Sequence, residues 1–231
     1  MNKGKLYVVA TPIGNLGDMT FRAVEILKSV AFILAEDTRE SIKLLKRYDI
    51  PTQLVSYRDQ NHERMMSKIY EKLDMGLNLA LVSDCGTPLI SDPGFKLVRE
   101  LRKSGYEIES IPGPSALTAA LSISGLPTDK FSFLGFLPKS EKKRIELLKK
   151  YLSQGTTVVY ESPKRILSLV ELISLIDETT FVVLLKDLTK SREEVIQGST
   201  TEVINILKGK GYEENPHGEF VVLANITSQR E

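Results

Sequence analysis

The sequence has very few of the residues that build disulfide frameworks and metal sites. Its 231 residues include one cysteine, Cys85, and two histidines, His62 and His217, which lie far apart along the chain. A single thiol cannot form an intrachain disulfide, and neither histidine belongs to a local zinc-binding motif. These absences predict a reducing compartment and a protein without a bound metal.

Long apolar runs and an excess of one charge are also missing. No run approaches the ~18 apolar residues of a membrane span, and the start of the chain lacks the apolar core of a signal peptide. The 31 Lys and Arg residues nearly balance the 30 Asp and Glu residues, which excludes a polycationic nucleic-acid tail. With 42% hydrophobic residues the chain can build a core, so we expect a folded cytoplasmic protein with no membrane segment.

Short apolar runs alternate with helical patterns along the first half of the chain. Buried strands are predicted at residues 6–10, 32–35, 79–82 and 108–111. Between them, residues 21–30 and 95–101 carry apolar side chains at helical spacing. This alternation predicts an α/β domain with a parallel sheet, whose ligand loops follow the carboxyl ends of the strands.

The alternation restarts after a turn-rich stretch at residues 124–129. Strands are predicted at residues 131–137, 156–160, 181–185 and 220–224, with helices near 140–153, 164–176 and 200–208. The chain is therefore expected to form two α/β domains in tandem, residues 1–127 and 128–231. Two domains of this kind commonly bind a ligand in the cleft between them.

Three loops of the first domain carry residues suited to ligand binding. Gly14 and Gly17 follow the first strand, although their spacing matches neither the Rossmann nor the Walker motif. Residues 83–94 contain two Gly, two Pro, three hydroxyl groups and two acids, which suits a ligand with a ribose and an amino-acid end. In the third loop Ser115 stands at a helix start, where exposed amides favour an acceptor group. Each loop taken alone is also consistent with an ordinary turn or a capped helix.

Five segments together resemble one protein family. They are residues 11–18, 35–39 (Ala-Glu-Asp-Thr-Arg), 83–94, 112–116 (Pro-Gly-Pro-Ser-Ala) and 160–166 (Tyr-Glu-Ser-Pro-Lys-Arg-Ile). These motifs resemble those of the bacterial 16S ribosomal RNA cytidine 2′-O-ribose methyltransferases, a branch of the tetrapyrrole (corrin/porphyrin) methylase superfamily. The resemblance runs from Leu6 to about Leu223. It implies two α/β domains, bound S-adenosylmethionine, a homodimer, and methylation of a cytidine ribose in the small ribosomal subunit.

The resemblance also implies a set of cofactor-binding residues. They are Pro12, Gly14, Asp84, Gly86, Thr87, Ile90, Ser91, Ser115, Ala116, Leu137, Glu161, Ser162, Pro163, Gly218, Glu219 and Phe220. Residues 83–94 contain no lysine that would repel a sulfonium, and their acids and hydroxyl groups suit a ribose.

Methylation of a ribose hydroxyl requires its proton to leave, and a carboxylate or a lysine within hydrogen-bond reach can accept it. Four candidates for this base are Asp37, Glu161, Lys186 and Lys190. Phosphate contacts are expected from Arg39, Lys43, Arg47, Lys142, Lys143, Arg144, Lys164 and Arg165. The cationic clusters are also consistent with solvated helix faces, and near-neutral net charge predicts modest affinity for free RNA.

Two alternatives stay open beside the ribosomal RNA methyltransferase. One is a methyltransferase of the same fold that acts on a corrin or porphyrin precursor, although residues 35–39 and 160–166 resemble the RNA enzymes in particular. The other is a protein that binds cofactor or ribosome without catalysis. It is suggested by departures from the family pattern at Lys164, Lys186, Asp187 and Arg192, and by the absence of the small helical region with which the family usually continues.

Overall fold

The structure is a computed structural model that describes residues 3–226. The chain forms two compact units that divide between Ser115 and Ala116, and each contains one five-stranded sheet. This division differs from the predicted boundary after Pro127, because the helix Ala116–Ile123 packs against the last strand of the second unit.

The first unit alternates strands and helices, as its sequence pattern predicts. Its strands are β1 (Leu6–Val9), β2 (Phe32–Ala35), β3 (Leu54–Ser56), β4 (Leu79–Val82) and β5 (Ile108–Ile111). Its helices are α1 (Phe21–Ser29), α2 (Thr38–Arg47), α3 (His62–Asp74) and α4 (Phe95–Lys103). All five strands are parallel, in the order β3-β2-β4-β1-β5. The four predicted strands are confirmed, whereas β3 was not predicted.

Burial explains why the central strands have nearly unbroken apolar sequences. All four residues of β2 and of β4 are buried, which is typical of parallel strands that helices cover on both faces. Ile33 packs on one side of the sheet with Val9, while Leu34 packs on the other side with Leu6. Because every strand of a parallel sheet runs the same way, the loops that follow β1, β2, β4 and β5 all lie at one edge.

The second unit builds a mixed sheet. Its strands are β6 (Phe131–Phe136), β7 (Thr156–Glu161), β8 (Thr180–Lys186), β9 (Glu194–Ser199) and β10 (Phe220–Ile226). Its helices are α5 (Ala116–Ile123), α6 (Glu141–Leu152), α7 (Pro163–Ile176) and α8 (Thr200–Gly209). The order is β6-β7-β10-β8-β9. The neighbours β6 and β7 are parallel, and the other three neighbouring pairs are antiparallel. Strand β9 was not predicted, because Ile196 is its one buried large apolar residue.

The position of β10 brings distant parts of the second unit to one end of the sheet. Strand β10 runs antiparallel between β7 and β8, and its first residue, Phe220, is paired with both Glu161 and Lys186. Those two residues are the last of β7 and β8. The carboxyl ends of β7 and β8 therefore meet the segment that enters β10.

Two negative findings concern the part of the chain that the structure describes. Among residues 3–226, no helix is long and apolar enough to cross a membrane. The same residues include no group of three or more His, Cys, Asp or Glu side chains placed to hold a metal ion.

Candidate functional site

An isolated bridge joins the loops that follow β1 and β4. The amide of Thr11 donates to the Gly86 carbonyl at 2.8 Å, and the amide of Gly86 donates back to the Thr11 carbonyl at 3.0 Å. The Thr11 hydroxyl also donates to the carbonyl of Ser83 at 3.2 Å. The two loops are thus held together over the ends of two adjacent central strands.

The loops after β2 and β5 attach to the same segment. The Asp37 amide donates to Asp84 Oδ1 at 3.0 Å, and the Thr87 hydroxyl donates to the Pro114 carbonyl at 3.0 Å. Residues 83–87 therefore connect all four loops at the carboxyl edge of the first sheet. The three loops singled out in the sequence do meet, and the structure adds the loop after β2.

The rest of the loop after β4 has an uncommon backbone. Leu89 and Ser91 have φ values of 72° and 68°, in the left-handed region that side chains with a Cβ rarely occupy. Ser91 is exposed, and the intervening Ile90 is 39% exposed despite being apolar. Strain of this kind costs roughly 1–3 kcal/mol per residue and is concentrated at ligand-binding sites. The loop fits a role in binding better than a role as a simple connection.

Three acids at this edge give the first unit a negative region. Burial raises the pKa of Glu36, and the nearby charge of Asp84 raises it further. Burial also raises the pKa of Asp92 to about 6; a hydrogen bond with Ser83 lowers this pKa in part, and the charges of Glu36 and Asp84 add to the rise. Glu36 and Asp92 were not among the predicted site residues. A region of this charge favours a cationic ligand.

The raised pKa of Asp92 predicts a pH-dependent stability. Its proton binds more tightly in the folded chain than in the unfolded chain, so the associated stabilisation is lost as pH rises through about 6. Asn is uncharged at every pH, and we expect the melting temperature of Asp92→Asn to rise relative to wild type between pH 4.5 and 7. Thermal denaturation across this range measures the difference, and a difference that does not change with pH would contradict the prediction.

Asp37 is committed to structural contacts. Its Oδ1 accepts hydrogen bonds from the Arg39 amide at 2.9 Å and from Arg39 Nε at 3.0 Å, and its Oδ2 accepts from Nη2 at 2.6 Å. These contacts hold the pKa of Asp37 well below its usual range, and they also cap α2. A carboxylate held in this way is a weak base.

In the second unit Glu161 has a buried carboxylate, and Oε1 is the oxygen that forms its hydrogen bonds with described residues. Its Oε1 accepts from the Ser162 amide at 2.7 Å and from Arg165 Nε and Nη2 at 2.8 and 2.7 Å. Arg165 also donates to the carbonyl of Leu137 at 3.4 Å. Oε2 is buried and has no hydrogen-bond partner among the described residues. This oxygen is available to a donor group of a ligand.

Lys186 lies at the same end of the sheet and is only 6% exposed. Its Nζ is 3.1 Å from His217 Nε2, while His217 Nδ1 is 2.9 Å from the carbonyl of Asn215. A carbonyl can only accept, so Nδ1 carries the proton in neutral His217 and Nε2 accepts from Lys186. The His217 ring stacks on Tyr212 with centroids 5.1 Å apart. His217 and Tyr212 were not predicted as site residues.

Lys190 is held by acids at the turn after β8. Its Nζ is 2.6 Å from Glu219 and 3.6 Å from Asp187. Burial alone would lower the pKa of Lys190, but the hydrogen bond to Glu219 and the charges of both acids outweigh it and raise the pKa. Gly218 passes directly over Lys186, since a Cβ there would lie 2.6 Å from Lys186 Cε and the residue has a φ of 94°.

The other predicted residues fall into two groups, one in each unit. In the first unit Gly14, Arg39, Lys43, Arg47 and Asp84 are exposed, Thr87 and Ser115 are half-buried, and Pro12 and Gly86 are buried. In the second unit Lys142, Lys143, Lys164 and Glu219 are exposed, Ala116, Arg144, Ser162, Pro163 and Gly218 are half-buried, and Leu137 and Phe220 are buried. Nε and Nη1 of Arg144 are buried without a hydrogen-bond partner among the described residues.

The chain is an α/β protein of two units, and four loops of the first unit converge at one edge of its sheet. Comparison with known proteins identifies its family. Residues 5–204 match the family of Tetrapyrrole (Corrin/Porphyrin) Methylases. A similar solved structure is uroporphyrin-III C-methyltransferase from Thermus thermophilus complexed with S-adenosyl homocysteine. It has a TM-score of 0.64 and 18% sequence identity, over 95% of this chain and 97% of that chain. The chain belongs to the tetrapyrrole methylase family.

Closer relatives place the chain within that family. It is 43% identical to ribosomal RNA small subunit methyltransferase I of Halalkalibacterium halodurans over 99% of this chain and 78% of the relative. It is 47% identical to the protein of the same name from Hydrogenobaculum sp. over 95% of this chain and 94% of the relative. The chain thus belongs with the ribosomal RNA small subunit methyltransferases I, and the family resemblance of its motifs is confirmed.

Proposed function

We propose that the protein transfers a methyl group from S-adenosylmethionine to the 2′-hydroxyl of a cytidine ribose in 16S ribosomal RNA of the small subunit. The observation that carries this proposal is 43% and 47% identity to ribosomal RNA methyltransferases over 99% and 95% of the chain. Identity to the porphyrin methyltransferase is only 18%, so a porphyrin or corrin substrate has much weaker support.

The residues present fit S-adenosylmethionine. When bound, this cofactor supplies an electrophilic methyl group on a positively charged sulfur. The negative region of Glu36, Asp84 and Asp92 suits that charge, and residues 83–94 contain no lysine to oppose it. In the second unit the unpartnered Glu161 Oε2 suits an amine or hydroxyl donor. We propose that Asp84 and Ser91 of the first unit hold the cofactor.

Among the four candidate bases, the contacts favour Lys186. Asp37 is paired with Arg39, Glu161 is paired with Arg165, and Lys190 is paired with two acids that raise its pKa. Lys186 instead has the imidazole of His217 as its hydrogen-bond partner, and among the described residues the carboxylate in its ion-pair range is that of Glu194, at 4.0 Å. We propose that Lys186 Nζ, in its uncharged form, accepts the proton of the ribose hydroxyl.

Lys186 and Glu161 are placed to act on the same substrate. They lie on the two strands that flank β10, so their Cα atoms are roughly 10 Å apart at the usual strand spacing of about 4.8 Å. Both occur at the residue that faces Phe220, so both side chains project from the same face of the sheet. A nucleotide held at this end can therefore contact both.

Labelled S-adenosylmethionine tests the proposed reaction. Purified protein is incubated with small subunits that lack the modification, with free 16S ribosomal RNA, or with a porphyrin precursor. We expect label in the RNA, recovered as 2′-O-methylcytidine after nuclease digestion and mass spectrometry. Label found only in the porphyrin would show that the substrate is a porphyrin rather than RNA. Label on a base would show that the methyl group is not transferred to the ribose 2′-hydroxyl. Tight cofactor binding without any transfer would instead indicate a binding protein.

The proposed cofactor role of Asp84 predicts a loss of affinity in Asp84→Asn. Asn keeps the Oδ1 acceptor for the Asp37 amide and removes only the charge. We expect S-adenosylmethionine to bind about tenfold more weakly, which corresponds to ~1.4 kcal/mol. Isothermal titration calorimetry measures the affinity, with Glu25→Gln on the exposed face of α1 as the matched control. Equal affinity of Asp84→Asn and wild type would remove Asp84 from the cofactor site.

We also propose that the protein acts as a homodimer in the cytoplasm, where ribosomal subunits are found. The homodimer and the cytoplasmic location are both inferred from the resemblance to the family. Light scattering coupled to size-exclusion chromatography gives the oligomeric state directly, and a mass of one chain across the micromolar range would contradict the dimer.

A further inference from the structure

An exposed aromatic cluster lies at the carboxyl end of β6. The ring of Phe136 is 5.7 Å from that of Tyr160, which is in turn 4.9 Å from the ring of Phe133. Phe136 is 59% exposed on an edge strand, where a large apolar side chain is a liability for aggregation unless it binds something. We refer to Phe133, Phe136 and Tyr160 as the aromatic platform.

A bulge in β6 creates the platform. Phe133 and Phe136 are three residues apart, so in a regular strand their side chains would point to opposite faces. Both rings nevertheless contact Tyr160. The pairing of β6 with β7 shifts register between Phe133 and Phe136, and Gly135 within the shift has a φ of 60°. The chain thus uses a backbone irregularity to turn Phe136 towards Tyr160, as bulges next to binding sites often do.

Exposed lysines follow the platform immediately. Lys139, Lys142 and Lys143 are exposed at the start of α6, and none of them forms an ion pair among residues 3–226. The N-cap residue of α6, Ser140, makes no side-chain hydrogen bond to the first turn. The amides of that turn and the positive end of the helix dipole add to the attraction for an anion. Aromatic rings beside unpaired cations are the combination that binds single-stranded nucleic acid.

We propose that the aromatic platform stacks an unpaired base of the RNA substrate, with Phe136 as the contact ring and Lys139, Lys142 and Lys143 bound to the adjacent phosphates. This inference rests on the proposed function and adds the surface that holds the substrate strand. The platform adjoins the candidate site, because Leu137 follows Phe136 and Glu161 follows Tyr160 in sequence.

The charge of the surface favours RNA over a second copy of the chain. In a twofold symmetric dimer an interface patch faces the same patch of its partner. The exposed Lys139, Lys142 and Lys143, which follow Phe136 in sequence, would then face three more lysines, which repel. A polyanion has no such conflict, and its bases can cover the exposed ring.

Binding of a cytidine-rich single-stranded RNA that contains 2-aminopurine tests the platform. The variant Phe136→Ala is expected to bind about ten- to a hundredfold more weakly and to lose the quenching of 2-aminopurine that stacking produces. Phe136→Trp should retain both. Leu175→Ala, which removes another exposed apolar side chain of the second unit, is the matched control and should bind as wild type.

Salt dependence separates the two parts of the surface. Phe136→Ala should leave the slope of log affinity against log salt unchanged, whereas Lys142→Gln combined with Lys143→Gln should reduce it by about 1 to 2. An unchanged RNA affinity in Phe136→Ala would overturn the proposal. Conversion of a wild-type dimer to monomers by Phe136→Ala, with quenching intact, would do the same and assign the surface to a second copy.

The platform and the proposed function can fail separately. If wild type methylates RNA and Phe136→Ala has the same kcat/KM on small subunits, the platform is wrong and the function stands. If wild type transfers no methyl group to any RNA but its RNA binding depends on Phe136, the function is wrong and the platform stands.

Discussion

Replacing Lys186 with methionine is expected to lower kcat for methyl transfer by roughly 10²- to 10⁴-fold, the usual contribution of a positioned base. Met keeps most of the length of the buried apolar stem and removes Nζ, which otherwise lies 3.1 Å from His217 Nε2. Single-turnover kinetics on small subunits measures the chemical step. Affinity for S-adenosylmethionine is measured alongside, because a base acts on the hydroxyl proton and is not required to bind the cofactor.

Lys190→Met is the matched control. Lys190 is paired with Glu219 and Asp187, so its loss removes a surface contact and leaves the proposed proton acceptor in place. We expect its kcat to fall far less than that of Lys186→Met. A larger loss in Lys190→Met than in Lys186→Met would transfer the role to Lys190, and near-wild-type kcat in both variants would exclude both lysines as the base.

Replacing Arg165 with methionine is expected to destabilise the fold by about 3 kcal/mol, at the lower end for a broken buried ion pair. The side chain of Glu161 is 0% exposed, and the variant would leave its carboxylate without a cation. The expected cost is not larger because the Arg165 side chain is 29% exposed, so water screens the pair in part. Urea denaturation followed by circular dichroism measures the free energy of unfolding.

A second substitution distinguishes lost charge pairing from lost packing. Combining Arg165→Met with Glu161→Gln removes the buried negative charge as well, and the Gln carbonyl can still accept from the Ser162 amide. We expect the double variant to recover most of the lost stability. If the double variant is as unstable as Arg165→Met alone, the contribution of Arg165 comes from packing of its stem and its bond to the Leu137 carbonyl.

The first sheet could be predicted from the sequence because its central strands are buried on both faces. Strands β2 and β4 are unbroken apolar runs, whereas β3 has only half-buried Leu54 and Val55 and gave no clear signal. The direction of the strands in the second sheet could not be predicted. Strands β8 and β10 are also almost fully buried, and such a run has the same sequence pattern in a parallel and an antiparallel sheet.

The site was predictable to the extent that it consists of loops with their own sequence signal. Residues 83–94 are unusually rich in Gly, Pro, hydroxyl groups and acids, and the structure connects their first part to three other loops. His217 had no such signal. It is 31 positions from Lys186, and the contact depends on the register of β10 against β8, which no local pattern specifies.

Cys85 allows a reporter group to be attached selectively to the loop after β4. It is the single cysteine of the sequence, it is exposed, and it lies between Asp84 and the Gly86 bridge to Thr11. A thiol-reactive dye therefore attaches at one position without any engineered residue. Fluorescence from that position follows ligand-dependent changes of the four connected loops in real time, in the otherwise unmodified chain.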